Sequence, residues 1–426
     1  MSLEGFEVAV VGAGPAGRAA ALTLAKQGVQ VLLVERGSFP GSKNVFGGRI
    51  YSYALKRLLG EHWKEAPIER FIRKEGITFM KPDSAFGIEY ETTDPSFSFT
   101  AIRAKFDKWL AEQAEKAGAS LVSDIRVDDL IIDGGRVRGI IAGQDKIPTD
   151  AVIACDGTTT GLARKAGLVE MLEPRTISMG MKDVVELPAD TIEERFGLEP
   201  GEGTANVFVG SPTDGIRGGG FLYTNKESVA LGLVVGAEDV SSRKISAPSL
   251  MEKMRNHPKI RRLLKNGKTV EYDAHMIPEA GPGMLTRPYT GGMLVAGDAA
   301  GHLLNNGYTF RGVDMAITAG IIAAETILEA RKEKDYSASS LQAYETRLRR
   351  EPSLSDMYRF KRVPKYLRNS RLYGVYPELV CAAAEAVYRV DGTSKKKIFK
   401  ELRGQTKGRV STLTLIRDLL GGMRTF

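Results

Sequence analysis

Cysteine is nearly absent: two residues in 426, Cys155 and Cys381, stand far apart and outside any metal-ligand spacing. That excludes an internal iron–sulfur cluster or zinc site and suits a reducing cytosol. Histidine is almost as scarce, and His62, His257, His275 and His302 form no metal spacing either. Long apolar runs are also missing. The most apolar helical stretch, Val313 to Leu328, is interrupted by Asp314, Thr318, Glu325 and Thr326, so it reads as a buried helix rather than a membrane span. The sequence opens directly on a strand, from which no signal peptide is expected, and it shows no internal repeat or low-complexity segment. What is left, 42% hydrophobic and 26% charged, is the composition of a soluble globular protein long enough for two or three domains.

What is present begins at residue 8. A short apolar strand, Val8 to Val11, runs into Gly12-Ala13-Gly14-Pro15-Ala16-Gly17 and then a helical pattern. The spacing predicts a phosphate cradle. Gly12 permits the tight turn, Gly14 lets backbone approach a pyrophosphate, and Gly17 lets the helix pack close to its strand with its N-terminal amides facing the anion. After a second strand, Val31 to Val34, Glu35 stands where an acid binds ribose hydroxyls, followed by Arg36. An acid there favours a free ribose over a 2′-phosphate. The fingerprint by itself leaves FAD and NAD equally open.

Basic charge collects at one end. From Arg331 onward 22 Lys and Arg face 10 Asp and Glu, whereas the preceding 330 residues carry 38 against 42. The excess is interleaved with Tyr358, Phe360, Tyr366, Tyr373 and Tyr376, then followed by Lys395, Lys396, Lys397, Lys400, Arg403, Lys407 and Arg409. It fits either an ordinary solvated helical surface or a docking face for an acidic protein or an anionic membrane. No nucleic-acid recognition module is visible, so nucleic acid is not an expected partner.

Periodicity gives the order of parts. A loop at Phe39 to Gly48 precedes a helical pattern near Tyr51 to Leu59, β-like alternation at Ile77 to Met80 and Phe86 to Glu91, and a helix over Arg103 to Ala117. A hairpin turning at Asp133-Gly134-Gly135 leads to a buried strand, Ala151 to Ala154. The stretch Pro174 to Pro288 is rich in β-type runs such as Ala205 to Val209, Gly220 to Thr224 and Val229 to Val235, which predicts an inserted sheet. The chain then returns to a strand at Met293 to Ala296 and to a long helix from about Thr309; after a polar break at Lys332 to Ser340 it reads as helical.

Three motifs select the cofactor. Arg103-x-x-Phe106-Asp107-x-x-Leu110 opens a helix, Asp156-Gly157 ends a strand, and Gly297-Asp298-Ala299-Ala300-Gly301 ends another. Together with the glycine cradle they resemble the FAD-binding pattern of glutathione-reductase-type flavoproteins, in the hydroxylase-like branch. The resemblance implies FAD, with Asp298 accepting from a ribityl hydroxyl, Arg103 neutralising pyrophosphate, Asp156 and Gly157 closing the site, and backbone near Val127 meeting the adenine. The fold class expected is α/β: an FAD-binding Rossmann domain at 1–173 and 289–331, an inserted, mostly antiparallel β-sheet substrate domain at 174–288, and a C-terminal helical basic region at 332–426.

Within that branch the match narrows. Gly41-Ser42-Lys43-Asn44-Val45-Phe46-Gly47-Gly48-Arg49-Ile50-Tyr51, His275-Met276-Ile277-Pro278-Glu279 and Asn306-Gly307-Tyr308-Thr309-Phe310-Arg311-Gly312-Val313-Asp314 resemble the FixC (EtfC) family. These are FAD subunits of electron-transfer-flavoprotein:quinone oxidoreductase systems, within the wider geranylgeranyl reductase family. The resemblance implies that Lys43, Asn44, Val45, Gly47 and Gly48 pass one flavin edge. It also implies that Asn306 to Gly312, with Gly307, Tyr308 and Thr309, start the helix under the pyrimidine, where a positive dipole end favours the reduced ring. A quinone pocket is implied beside Gly218 and Gly219, where an ordinary strand bulge is the other reading and Arg217 departs from the aromatic residue of fused relatives. Fused relatives also hold a [4Fe-4S] cluster on C-terminal cysteines that are lacking here. A separate small ferredoxin-like subunit is therefore implied between an electron-transfer flavoprotein and this FAD, with menaquinone or ubiquinone as acceptor and a cytoplasmic, peripheral place on the inner face of the cell membrane.

Other roles stay open. Tyr308 and His302 are candidates for moving quinone protons, with purely structural roles as the alternative. A prenyl double-bond reductase, a flavin hydroxylase and a non-catalytic FAD-binding scaffold are competing readings. A halogenase would carry a Trp-x-Trp-x-Ile-Pro segment, which Trp63 and Trp109 do not make.

Overall fold

Val8–Val11, Val31–Val34 and Ala151–Ala154 are four-residue apolar runs, a pattern that requires burial on both sheet faces. In the computed structural model, which describes residues 5–42, 47–169, 171–395, 397–406 and 408–426, they form the middle of a six-stranded sheet. Its order is Tyr289–Thr290, Met293–Val295, Ala151–Ala154, Val8–Val11, Val31–Val34, Ser120–Val122, parallel except for the first strand. Alternate residues feed two cores. Val8, Val10, Leu33 and Ile153 pack against the helices Pro15–Ala25, Arg103–Lys116 and Val313–Glu333. Ala9, Val11, Leu32 and Val152 pack under the three-stranded meander Asp129–Asp133, Arg136–Ala142 and Asp145–Pro148. Each fully buried Val or Leu contributes roughly 1.5–3 kcal/mol.

Gly134 and Gly135, both at positive φ, make the expected two-residue hairpin turn of that meander. A closer approach depends on Gly320. A Cβ there would lie 2.2 Å from the Ala16 carbonyl oxygen, so the long helix rests on the cradle helix only because residue 320 has no side chain.

The second sheet has nine strands. In order they are Lys268–Pro278, Ile177–Glu186, Ser228–Gly236, Gly218–Thr224, Glu202–Gly210, Arg70–Lys81, Ser98–Thr100 and Arg49–Tyr51, with Ser84–Glu91 also pairing to Arg70–Lys81. Pairing is antiparallel except between Glu202–Gly210 and Arg70–Lys81. Five of these strands come from the expected insertion at 174–288. The other four come from residues 49–100, which the sequence reading kept in the nucleotide-binding part. Their alternation was visible, but a pairing across more than a hundred residues leaves no local signature. Leu250, Met251 and Met254 of the helix Ala247–Asn256 cover one face of this sheet together with Leu222, Leu231 and Leu233. The opposite face is turned to the nucleotide-binding sheet.

One boundary shifts. The long helix starts at Val313 rather than near Thr309, because the Asn306 side chain accepts the Thr309 N–H (2.7 Å) and hydroxyl (2.9 Å) and folds residues 306–309 into a turn. Beyond residue 337 the chain is helical as expected, ending in Thr412–Met423. Among the described residues no helix is long and apolar enough to cross a membrane.

Candidate functional site

A cavity of about 1010 Å³ lies between the two sheets. That is the upper end of the roughly 300–1,000 Å³ found for small-molecule sites. At one end it is lined by Gly14, Pro15 and Ala16, where the helix Pro15–Ala25 begins with no side-chain cap and its first amides face the space. Gly12 and Gly17 lie behind this wall. A Cβ on Gly12 would sit 2.3 Å from the Cys155 carbonyl oxygen and one on Gly17 2.0 Å from the Gly12 carbonyl oxygen, while Gly14 has nothing within 4 Å. Two glycines thus build the turn and the third keeps backbone open to a ligand.

Glu35 sits at the outer edge of the cradle, accepting the Ala13 N–H (3.0 Å) and the Gly37 N–H (2.7 Å). Backbone bonds from Ile125 to Glu35 and from Asp124 to Gly37 bring the segment leading to Val127 alongside. Val127 itself packs on the meander core, and Glu35, Arg36 and Val127 all lie outside the cavity wall.

Arg103 lies in the wall, 3% exposed. Its Nε and Nη2 donate to Asp107 at 3.0 Å each, and the fully buried Arg18 reaches Asp107 at 2.8 Å. Burial alone would raise the Asp107 carboxyl, but the two guanidinium groups outweigh it and hold it below the usual carboxylate range. Gly41 and Gly47 lie against this pair: a Cβ on Gly41 would meet the Asp107 Cβ at 2.7 Å, and one on Gly47 the Arg103 Nη1 at 3.3 Å. Gly47 lines the cavity; Gly48 backs onto the Ala101 carbonyl; Lys43, Asn44 and Val45 lie outside the described residues.

Further along, Gly157, Gly297 and Asp298 line the space, with Asp156 just behind. The Asp156 Oδ2 accepts the Leu162 N–H (3.0 Å), while its buried Oδ1 has no hydrogen-bond partner among the described residues. His275, on Lys268–Pro278, faces the same space with its buried Nε2 equally unpartnered. Burial raises the Asp298 carboxyl and lowers the neighbouring His275, each partly offset by the other. Unsatisfied buried polar atoms around an amide-lined cradle are what a polyhydroxylated, phosphate-bearing group would complete. The site therefore fits FAD.

The opposite wall is glycine-backed. Gly218 and Gly219 line it, and at Gly218 (φ +151) a Cβ would lie 2.1 Å from the Val234 carbonyl oxygen. Arg217 lies beside them, where Glu279 accepts from its Nη1 (2.6 Å), from Ser178 Oγ (2.8 Å) and from Asn305 Nδ2 (2.8 Å). Across the wall Arg49 pairs with Glu75 at 2.5 Å and lies over the Tyr51 ring. Asn305 and Glu75 escaped the sequence reading, and Arg49 and Glu279 entered it only as parts of motifs without a role, since each partner is 26 or more residues from the other.

Tyr308 and Thr309 line the cavity with Gly307, and Tyr308, 45% exposed, stands at its mouth beside Phe426. His302 does not line it. It is buried in a small neighbouring pocket, accepting the Gly297 N–H at Nδ1 (3.1 Å), and burial pulls its pKa down to about 4. A ring held neutral and bonded to backbone positions the Gly297 turn, outside the cavity wall.

Residues 5–306 match the FAD binding domain family, and residues 363–426 match the ETF-QO/FixC family C-terminal domain. The chain is 42% identical to Protein FixC of Escherichia coli O157:H7, over 99% of both chains. It is 39% identical to the probable electron transfer flavoprotein-quinone oxidoreductase YdiS of Escherichia coli strain K12, again over 99% of both. Among solved structures, a geranylgeranyl bacteriochlorophyll reductase-like protein from Thermoplasma acidophilum shares the fold, with a TM-score of 0.74 and 20% identity over 98% of this chain and 99% of the other.

Proposed function

The chain belongs to the ETF-QO/FixC family of FAD-dependent oxidoreductases acting in electron transfer, and from that premise we propose that it carries electrons from an electron-transfer flavoprotein to a membrane quinone. Bound FAD would supply a carrier that takes electrons singly and stores two. The residues Gly12, Gly14, Pro15, Ala16, Gly17, Glu35 and Arg103 hold its phosphate and ribose end, and Asp156, Gly157, Gly297 and Asp298 its ribityl chain. Gly47, Gly48, Gly307, Tyr308 and Thr309 border the ring.

The observation that carries this reading is the continuity of the cavity. One space runs from the cradle at Gly14, past Asp298, along Gly218 and Gly219, and out to Leu419, Met423 and Phe426. A second molecule can thus reach the flavin end from an apolar mouth. Gly218 and Gly219 let a flat head group lie close to backbone, and the Arg217–Glu279 pair fixes that stretch of wall. Cys155 and Cys381 sit in separate parts of the fold and cannot hold a cluster between them, so a small ferredoxin-like [4Fe-4S] subunit is assigned the step between donor and FAD.

The C-terminal region supports a peripheral place on the inner membrane face. Leu413, Ile416, Leu420 and Met423 recur at helical spacing on Thr412–Met423 and are all exposed, in a region carrying most of the basic excess. Stopped-flow reduction of the bound FAD by electron-transfer flavoprotein plus the small subunit, then reoxidation by menaquinone or ubiquinone, tests the route. Reduction without reoxidation by either quinone would leave the flavoprotein and reject the acceptor.

A further inference from the structure

Glu271, Asp273 and His275 occupy alternate positions of the edge strand Lys268–Pro278 and so share one face. Asp273 Oδ2 and His275 Nε2 are buried with no hydrogen-bond partner among the described residues, and the buried Glu271 Oε1 is met by Lys182. The neighbouring strand places Lys182 opposite Asp273 and Gly180 opposite His275. Lys182 is buried, and its Nζ lies 3.3 Å from Glu271 Oε1. The Glu271 side chain is 31% exposed, Lys182 only 5%, and His275 ends in the cavity wall.

Unsatisfied buried polar atoms such as those of Asp273 and His275 are costly unless water meets them. We propose that Glu271, Lys182, Asp273 and His275, bridged by water, form a proton relay from solvent to the flavin cavity. Two-electron reduction of a flavin takes up one proton; returning those electrons to a quinone releases that proton to the acceptor and needs one more to complete the quinol. The electrons come from the donor flavoprotein, and both protons originate in solvent. Gly180, opposite His275, puts no side chain on that face. Charged groups facing His275 are Asp273 on its own strand, Asp298 on the turn after Met293–Val295, Arg103 on the helix Arg103–Lys116, and Arg36 beyond Val31–Val34. Burial lowers both Lys182 and His275, so that each gives up a proton more readily than in water.

The relay rests on the cavity being the flavin site. FAD-loaded protein is flash-photoreduced in weak buffer with a pH-indicator dye. Proton uptake keeps pace with reduction in the wild type and slows roughly tenfold or more in Asp273→Asn and His275→Gln. Added imidazole or formate restores the rate, which a merely structural defect would not allow. Uptake at the wild-type rate in both variants overturns the relay. Asp273→Glu keeps a carboxyl and serves if Asp273→Asn loses the cofactor. Without FAD, the His275 ring titrates lower by NMR in Asp273→Asn than in the wild type, and an unchanged titration removes the last link. A wild-type protein that stays colourless in excess FAD fails the flavin reading instead, leaving the titration result to stand.

Discussion

His302 accepts a backbone N–H from Gly297 and stays neutral because it is buried, with a pKa of about 4 against an ordinary 6.5. The unfolded chain therefore binds a proton from pH 6.5 downward that the folded chain refuses until about pH 4. Stability from this residue is full above pH 6.5, falls across that interval and levels off below it, a loss of roughly 3 kcal/mol. Urea midpoints from pH 7 to pH 4 check this: the curve for His302→Asn, whose amide oxygen can accept the same bond, is flatter than the wild type by that amount. Equal curves would reject it. Single residues differ in how much the sequence reveals. Gly12, Gly14 and Gly17 were legible because the cradle is local. His302 stayed open between a structural and a proton-carrying role, because the residue types alone do not show that its ring nitrogen takes the Gly297 N–H.

Among elements, the terminal helix Thr412–Met423 is docked around Asp418. Asp418 takes Arg371 Nε (2.6 Å) and Nη2 (3.0 Å), Asn369 Nδ2 (2.9 Å) and the Tyr376 hydroxyl (2.6 Å), which hold its carboxyl far below the ordinary range. The Tyr366 hydroxyl donates to its backbone carbonyl, and Tyr373 is buried. Of the aromatics that the sequence places among surface cations, Tyr366 and Tyr376 thus anchor the helix and Tyr373 faces inward, donating to the Leu367 carbonyl. Its opposite face is left apolar. Replacing Leu413 and Ile416, both exposed and both outside the cavity wall, by Ser is expected to weaken liposome binding by at least roughly a hundredfold, from about 1.5–3 kcal/mol per buried side chain. Vesicle flotation with anionic lipid is the measurement, with FAD content unchanged; undiminished flotation would remove the helix from the membrane contact. The helix was legible as helical, but its exposed side depends on where Asp418 finds Arg371, 47 residues away.

At the scale of the whole molecule, the cavity wall draws on both sheets and the terminal helix. Filling it ties these parts together. FAD at a hundred times its dissociation constant is expected to add about 2.7 kcal/mol and raise Tm by about 3 °C for a chain of this length. Scanning calorimetry of apoprotein with and without FAD measures it, and no shift would argue that the cofactor binds elsewhere.

The strand–glycine–helix cradle, the hairpin at Gly134-Gly135 and the Gly297-Asp298 turn follow from the amino-acid order alone, because short-range sterics and apolar periodicity act within a few residues. Only the tertiary structure decided that residues 49–100 join the second sheet, that Arg217 is paired with Glu279, and that Glu271, Asp273 and His275 line up with Lys182 beside the cavity. Those outcomes hang on packing between segments far apart in the chain, where many partners are sterically possible and the shared burial of apolar faces selects one.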